Sequence, residues 1–170
     1  MVIGEKVILQ ARPLTSGDYP AVKKIYEEGI RTGNATFQSG APAWEEWDHE
    51  HLPHSRIGAF AGHEMVGWAA LTPVSGRCVY AGVGEVSVYV SPAHQGMGIG
   101  RVLLDELVNS SERNSLWTLQ AGIFPENQAS IQLHLKSGFR VVGHREKIGQ
   151  MNGIWRNTVL LERRSKIAGI

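Results

Sequence analysis

Apolar residues recur along this chain with two different periods, and the switches between them divide it into strands and helices. Val7–Ala11 reads as a first strand. Behind Asp18, taken as a cap, Ala21, Val22, Ile25, Tyr26 and Ile30 fall at helical spacing. A second helix is predicted over Ala43–Leu52, stopping before Pro53, with Trp44 and Trp47 as its buried stripe. Arg56–Gly62 and Met65–Leu71 read as strands joined by a hairpin turn at Gly62-His63-Glu64. A longer strand covers Gly84–Ser91. The helix after it shows Ile99, Val102, Leu103 and Leu107 on one face. Trp117–Ala121 is a further strand, and a helix opens at Asn127. Two late strands, Arg140–Lys147 and Asn157–Leu161, flank a turn region at Gly149–Gly153. This order predicts a mixed α/β sheet with helices on both faces.

Composition narrows the function classes. A chain of 170 residues with 42% hydrophobic residues supports one domain with a full core. The formal charge is +1, which gives nucleic-acid binding no bulk support. Residues 163–170, with Arg163, Arg164 and Lys166, read as a flexible basic tail. Cys78 is the single cysteine, so no intrachain disulfide forms. Met1–Lys6 lacks a signal-peptide core, and no apolar run is long enough to span a membrane. A cytoplasmic protein is the expectation. His49, His51 and His54 invite a metal reading, but His49 and His51 face different sides of a helix. No metal is expected.

The chemistry concentrates in Val88-Tyr89-Val90-Ser91-Pro92-Ala93-His94-Gln95-Gly96-Met97-Gly98-Ile99-Gly100-Arg101. A strand runs through a glycine loop directly into a helix. Glycines at 96, 98 and 100 strip side chains from the loop, so bare N–H groups at a helix N-terminus meet the ligand. That arrangement suits a phosphate or pyrophosphate, with Arg101 adding a charged contact. No Gly-Lys-Ser/Thr follows, and Arg101 stands where a dinucleotide fingerprint needs its third glycine. His94, just before the loop, is expected to face solvent.

The Gln95-x-x-Gly98-x-Gly100 loop after Val-Tyr-Val resembles the acyl-CoA loop of the GNAT N-acetyltransferase superfamily. Asn127 to Phe139, an Asn-opened helix that ends in Gly138-Phe139, is similar to the superfamily's later segment. Glu85–Val90, Leu133-His134 and Gly153-Ile154-Trp155-Arg156 resemble the phosphinothricin, methionine sulfone, methionine sulfoximine and arsinothricin acetylating branch. Asn157 departs from the Asp expected in several of those relatives, and the loop at residues 75–82 departs as well.

The resemblance implies a mixed sheet splayed between two central strands. It also implies acetyl-CoA as co-substrate and a small amino-acid-like acceptor. Val88, Tyr89 and Val90 would pair with the pantetheine arm through their backbone, and Gln95, Gly96, Met97, Gly98, Ile99, Gly100 and Arg101 would hold the pyrophosphate. Asn127 and Ser130 would meet the arm. If Val88 and Val90 face the interior, the Tyr89 ring packs on a helix. Transfer to an amine needs a neutral nucleophile, and Glu85, a carboxylate on a half-buried strand, is the candidate base. His134, at the motif position pointing toward the thioester, is the second. Backbone N–H groups of Val88–Val90 would meet the developing oxyanion. Arg77 is the candidate for the acceptor's carboxylate, Phe37 for its apolar wall and Tyr80 for either task. The competing readings make Glu85 an ion-pair partner, His134 a part-core histidine and Arg77 a solvated loop charge. A protein N-terminal or lysine acetyltransferase, or a non-catalytic acyl-CoA sensor, would fit the same motifs. By analogy, the Trp155 region would form a two-fold interface of a homodimer.

Overall fold

The computed structural model describes residues 8–170. Val7, the expected start of the first strand, lies outside them. The strands are β1 (Leu9–Pro13), β2 (Ile57–Ala61), β3 (Glu64–Pro73), β4 (Val83–Val90), β5 (Thr118–Ile123), β6 (Arg140–Met151) and β7 (Ile154–Arg164). The helices are α1 (Tyr19–Arg31), α2 (Trp44–Glu50), α3 (Ile99–Arg113) and α4 (Gln128–Lys136). The strands form one seven-stranded sheet in the order β1-β2-β3-β4-β5-β7-β6. All neighbours are antiparallel except β4 and β5, which run parallel.

Helices cover both faces, as the element order predicts. On one face Leu103, Leu104 and Leu107 of α3 pack with Val66, Ala69 and Leu71 of β3 and with Leu161 of β7, all without exposed surface. A side chain on Gly67 would come within 2.9 Å of Leu103, so its absence lets α3 approach the sheet. On the other face α1 and α2 enclose an aromatic core. Tyr26, Trp68 and Tyr89 cluster with their rings nearly parallel, each pair of ring centroids 4.9 to 5.6 Å apart, and Trp68 meets Trp47 edge-on. Both neighbours of β3 and both layers above it exclude water, so its residues 65–71 are buried without alternation.

Local departures have local causes. Asp18 precedes α1 but makes no side-chain cap bond; its carboxylate accepts from Arg12 and from the Thr15 N–H instead. That guanidinium holds the Asp18 carboxyl down at about 2. The second helix ends at Glu50, two residues short of expectation, because His51 is extended and its Nδ1 bonds the Trp47 carbonyl at 2.7 Å. The last two strands are longer than predicted and meet at Asn152-Gly153, both at positive φ (52° and 77°). A two-residue turn with both φ positive matches strand twist, and Asn-Gly is its preferred sequence. The expected flexible tail is a correction. Arg163 and Arg164 end β7 opposite Leu119 and Thr118. Beyond them the Arg164 guanidinium donates to the carbonyls of Ser165, Ala168 and Gly169, which folds the end of the chain over Trp117.

Candidate active site

β4 and β5 pair only at Val83, Gly84 and Glu85, opposite Thr118, Leu119 and Gln120. Both strands continue, but apart. From Val86 to Val90 β4 keeps β3 on one side and has no strand on the other. Backbone groups turned to that side have no ladder partner, so the gap presents N–H and C=O groups to whatever enters it.

Period-two alternation along β4 sorts its side chains. Val86, Val88 and Val90 pack on the α3 side of the sheet. Tyr89 joins the aromatic core and lies against Gly29 of α1, where a Cβ would meet its ring at 2.7 Å. Burial pushes the Tyr89 hydroxyl well above the ordinary tyrosine range. Its ring packs among the aromatic residues on the α1 side, as the alternation predicts, and it also borders the cavity at which the strands part.

Where the strands part, Glu85 and Ser87 open into a cavity of about 350 Å³. The carboxylate of Glu85 lies over the bare backbone of Gly122 on β5. α4 brings His134 to the same cavity, and the α1–α2 connection brings Phe37. His134 is 3% exposed. Its Nδ1 sits 2.7 Å from the Ser130 carbonyl, which can only accept, so that nitrogen carries the proton. In the neutral ring Nε2 then holds a lone pair, and it has no hydrogen-bond partner. Burial lowers the His134 pKa, and the bond to Ser130 offsets this in part. The ring is therefore neutral at neutral pH. His51, at the far side of the cavity, follows the same rule: burial lowers its pKa too. The acidic side chains that line the cavity are Glu50 and Glu85, with no Lys or Arg among the described lining residues. Such a field attracts an ammonium group.

A second groove, of about 370 Å³, continues from the first and shares Val88, Asn127 and Ser130 with it. Asn127 caps α4 by accepting from the Ser130 N–H at 3.2 Å. The groove ends at the glycine loop. Gly96 and Gly98 have φ of 76° and 80°, and a Cβ on either would meet nothing within 4 Å. Their role is conformation and open space. Gly98 caps α3 with no side-chain partner, so the first amides of the helix are free for an anion. Gly100 differs from the other two: a Cβ there would press on Leu133 at 3.0 Å, so it serves the approach of α3 to α4.

Of the expected cofactor residues, Val88, Val90, Gln95, Gly96, Gly98, Ile99, Gly100, Asn127 and Ser130 line this groove. Three do not. Tyr89 turns into the aromatic core. Met97 is exposed on the loop. Arg101 gives both close contacts of its Nε, at 2.8 and 2.9 Å, to Asp105 one turn on. His94, expected in solvent, lines the groove with a buried Nδ1. Glu85, His134 and Phe37 share the acceptor-side cavity. Arg77 and Tyr80 stand apart from them: both are exposed on the loop before β4, the guanidinium 5.6 Å from the Tyr80 ring centroid, and neither is among the residues lining the cavity. Sequence reading missed Ser87, Thr158 and Glu50 as lining residues. Ser87 was accessible, since it lies two residues from Glu85 on the same strand face. Thr158 and Glu50 arrive from distant elements and carry no local signal. Among the described residues no three His, Cys, Asp or Glu side chains gather to hold a metal.

The profile of the Acetyltransferase (GNAT) family matches residues 20–139. Phosphinothricin N-acetyltransferase of Alcaligenes faecalis is 32% identical over 160 residues, which span 89% of this chain and 80% of that one. The phosphinothricin N-acetyltransferase of Streptomyces coelicolor is 29% identical over 163 residues, 91% of this chain and 95% of that one. The solved phosphinothricin acetyltransferase of Sinorhizobium meliloti, in complex with AcCoA, aligns with a TM-score of 0.85 at 26% identity, over 95% of this chain and 90% of that one. A match running from α1 through α4, over the glycine loop and the open gap beside it, makes this chain a member of the Acetyltransferase (GNAT) family.

Proposed function

We propose that the protein transfers the acetyl group of acetyl-CoA to the α-amino group of a small amino acid or a toxic analogue, of the phosphinothricin or methionine sulfone type. The observation that carries this reading is the gap between β4 and β5, with Glu85 at its closed end and the glycine loop beyond its open end. Acetyl-CoA, when bound, supplies an activated thioester. The chain supplies the rest. Free amides at the start of α3 meet the pyrophosphate, and the unpaired edge of β4 pairs with the pantetheine arm as a strand would. The same edge offers N–H groups to the carbonyl oxygen as charge develops there.

The acceptor enters on the α1–α2 side, where Glu50 and Glu85 favour its ammonium form. Glu85 takes the proton, directly or through a water, and frees the lone pair for direct attack in a ternary complex. The unpartnered Nε2 lone pair of His134 takes the second proton of the attacking amine as the new bond forms and then passes that proton to the departing thiolate. Ile148, Ile154 and Trp155, exposed on the β6–β7 hairpin, supply an apolar face for a second copy of the chain.

Thiol release from acetyl-CoA tests the reading, measured with purified protein and a panel of free amino acids that includes phosphinothricin and methionine sulfone. Amine-dependent release is expected. Acetyl-CoA binding without release for any free amine, but with release for peptides, would overturn the acceptor class. Absence of acetyl-CoA binding would overturn the whole reading.

A further inference from the structure

The wall of the acceptor cavity is held from a distance. Residues 33–38 follow α1 without helix or strand, yet they carry Thr36 and Phe37 into the cavity lining. Arg156 on β7 reaches this segment. Its Nη1 donates to the Gly33 carbonyl at 2.9 Å, and its Nη2 donates to Asn34 Oδ1 at 2.9 Å. Nη2 also lies 3.4 Å from the Glu126 carboxylate, and the guanidinium carbon sits 3.9 Å from the Phe124 ring centroid. The side chain is 14% exposed, so water competes little for these bonds. Asn127 adds a bond from Nδ2 to the Asn34 carbonyl at 3.2 Å. So fixed, the Phe37 ring meets Phe124 edge-on at 4.8 Å and lies against Gly149 of β6, where a Cβ would intrude to 2.9 Å.

A planar guanidinium can hold two oxygens in a fixed fork while one face rests on an aromatic ring; a lysine ammonium cannot do both. Arg156 does not line the cavity itself. We propose that Arg156 is a positioning residue: it fastens residues 33–38 to the corner formed by Phe124 and Asn127, and so fixes the aromatic wall against which the acceptor is oriented. Because Asn127 belongs to the cofactor groove as well, the fastening joins the two halves of the site through one short stretch of backbone. The kinetic part of this inference rests on the acetyl-transfer reading; the structural part does not.

The test uses Arg156→Ala, Arg156→Gln and Arg156→Lys in the full chain. Amide hydrogen exchange over residues 32–38 is measured without ligand, alongside acceptor KM, kcat and the acetyl-CoA Kd from calorimetry. Exchange in that segment is expected to rise in the Ala and Gln variants and less in the Lys variant. Acceptor KM should increase by about 10-fold or more, as misplaced substrate contacts do, while the Kd for acetyl-CoA stays within about twofold. If Arg156→Ala does not fold, the Gln and Lys variants carry the same comparison. Unchanged exchange at 32–38 in every folded variant overturns the proposal. So does an acceptor KM equal to the parent's. Faster exchange in a protein whose parent acetylates no amine would uphold the fastening and refute the function reading instead.

Discussion

Two histidines buried as neutral rings make stability fall with acid in a calculable way. His51 and His134 each give their Nδ1 proton to a backbone carbonyl four residues back, Trp47 and Ser130 respectively. Burial lowers both pKa values below the ordinary 6.5. The folded chain therefore binds fewer protons than the unfolded one in mild acid. Stability from this source is complete above the unfolded pKa and is lost as pH falls through it. At about pH 5.5 each unfolded ring gains about 1.4 kcal/mol from protonation, and the two together about 3 kcal/mol if neither folded ring takes up a proton. For a domain of this size that ceiling corresponds to a Tm lower by at most about 6–12 °C than at about pH 8. Asp18, held down at about 2, adds nothing in this window, because its share is lost only below the ordinary carboxylate pKa. The assay is thermal unfolding followed by circular dichroism across that pH range, for the parent, His51→Gln, His134→Gln and the double variant. Slopes are compared, so the cost of each substitution at high pH cancels. Each single variant should lose roughly half of the two-ring effect. A double variant as acid-sensitive as the parent would refute the claim that these rings are buried neutral. The same neutrality leaves His134 Nε2 with a lone pair at neutral pH.

Glu85→Gln should lower kcat by about 10²- to 10⁴-fold, the usual worth of a positioned base, with little change in the calorimetric Kd for acetyl-CoA; an unaltered pH–rate profile would remove Glu85 from that role. Gly98→Asp strains a residue held at φ 80° by about 1–2 kcal/mol but meets no clash, so it should fold with slightly lower Tm and lose acetyl-CoA binding to the added charge; undiminished affinity would show that the pyrophosphate sits elsewhere. Leu103→Ala empties a fully buried site under β3 and should cost about 3–5 kcal/mol in urea unfolding. Removing residues 165–170 takes away the carbonyls that Arg164 holds and the cover on Trp117, so Tm should fall by several degrees; an unchanged Tm would restore the tail to solvent.

Local features of this fold were legible and meetings between distant elements were not. The glycine loop announced itself because positive φ and free helix amides demand glycine at 96 and 98. The role of Gly100 did not, because it depends on Leu133 arriving from another helix. Asn127 as a cap follows from its side chain and the apolar run behind it. The Asn152-Gly153 turn is equally readable and sets where β6 ends and β7 begins, whereas the far end of β7 at Arg164 depends on pairing with β5. Arg101 looked like a phosphate contact by position alone, but Asp105 one turn later offers a nearer partner, a competition visible in the spacing. Arg77 and Tyr80 were assigned from a loop's neighbourhood in sequence, which does not say which way the loop turns. Arg156 grips residues more than a hundred positions away, and no local pattern encodes that.

An unpaired strand usually threatens solubility, because its row of amides can recruit a neighbouring molecule into a growing sheet. Here the unpaired length of β4 is recessed in the middle of the sheet, with β5 diverging on one flank and α4 and the 33–38 segment above it. Another polypeptide would have to thread between two strands of the same sheet to reach it. A narrow, flexible arm with amide groups of its own meets no such obstacle. The molecule thus keeps a strand hungry for hydrogen bonds without inviting aggregation, and the width of the slit does the excluding.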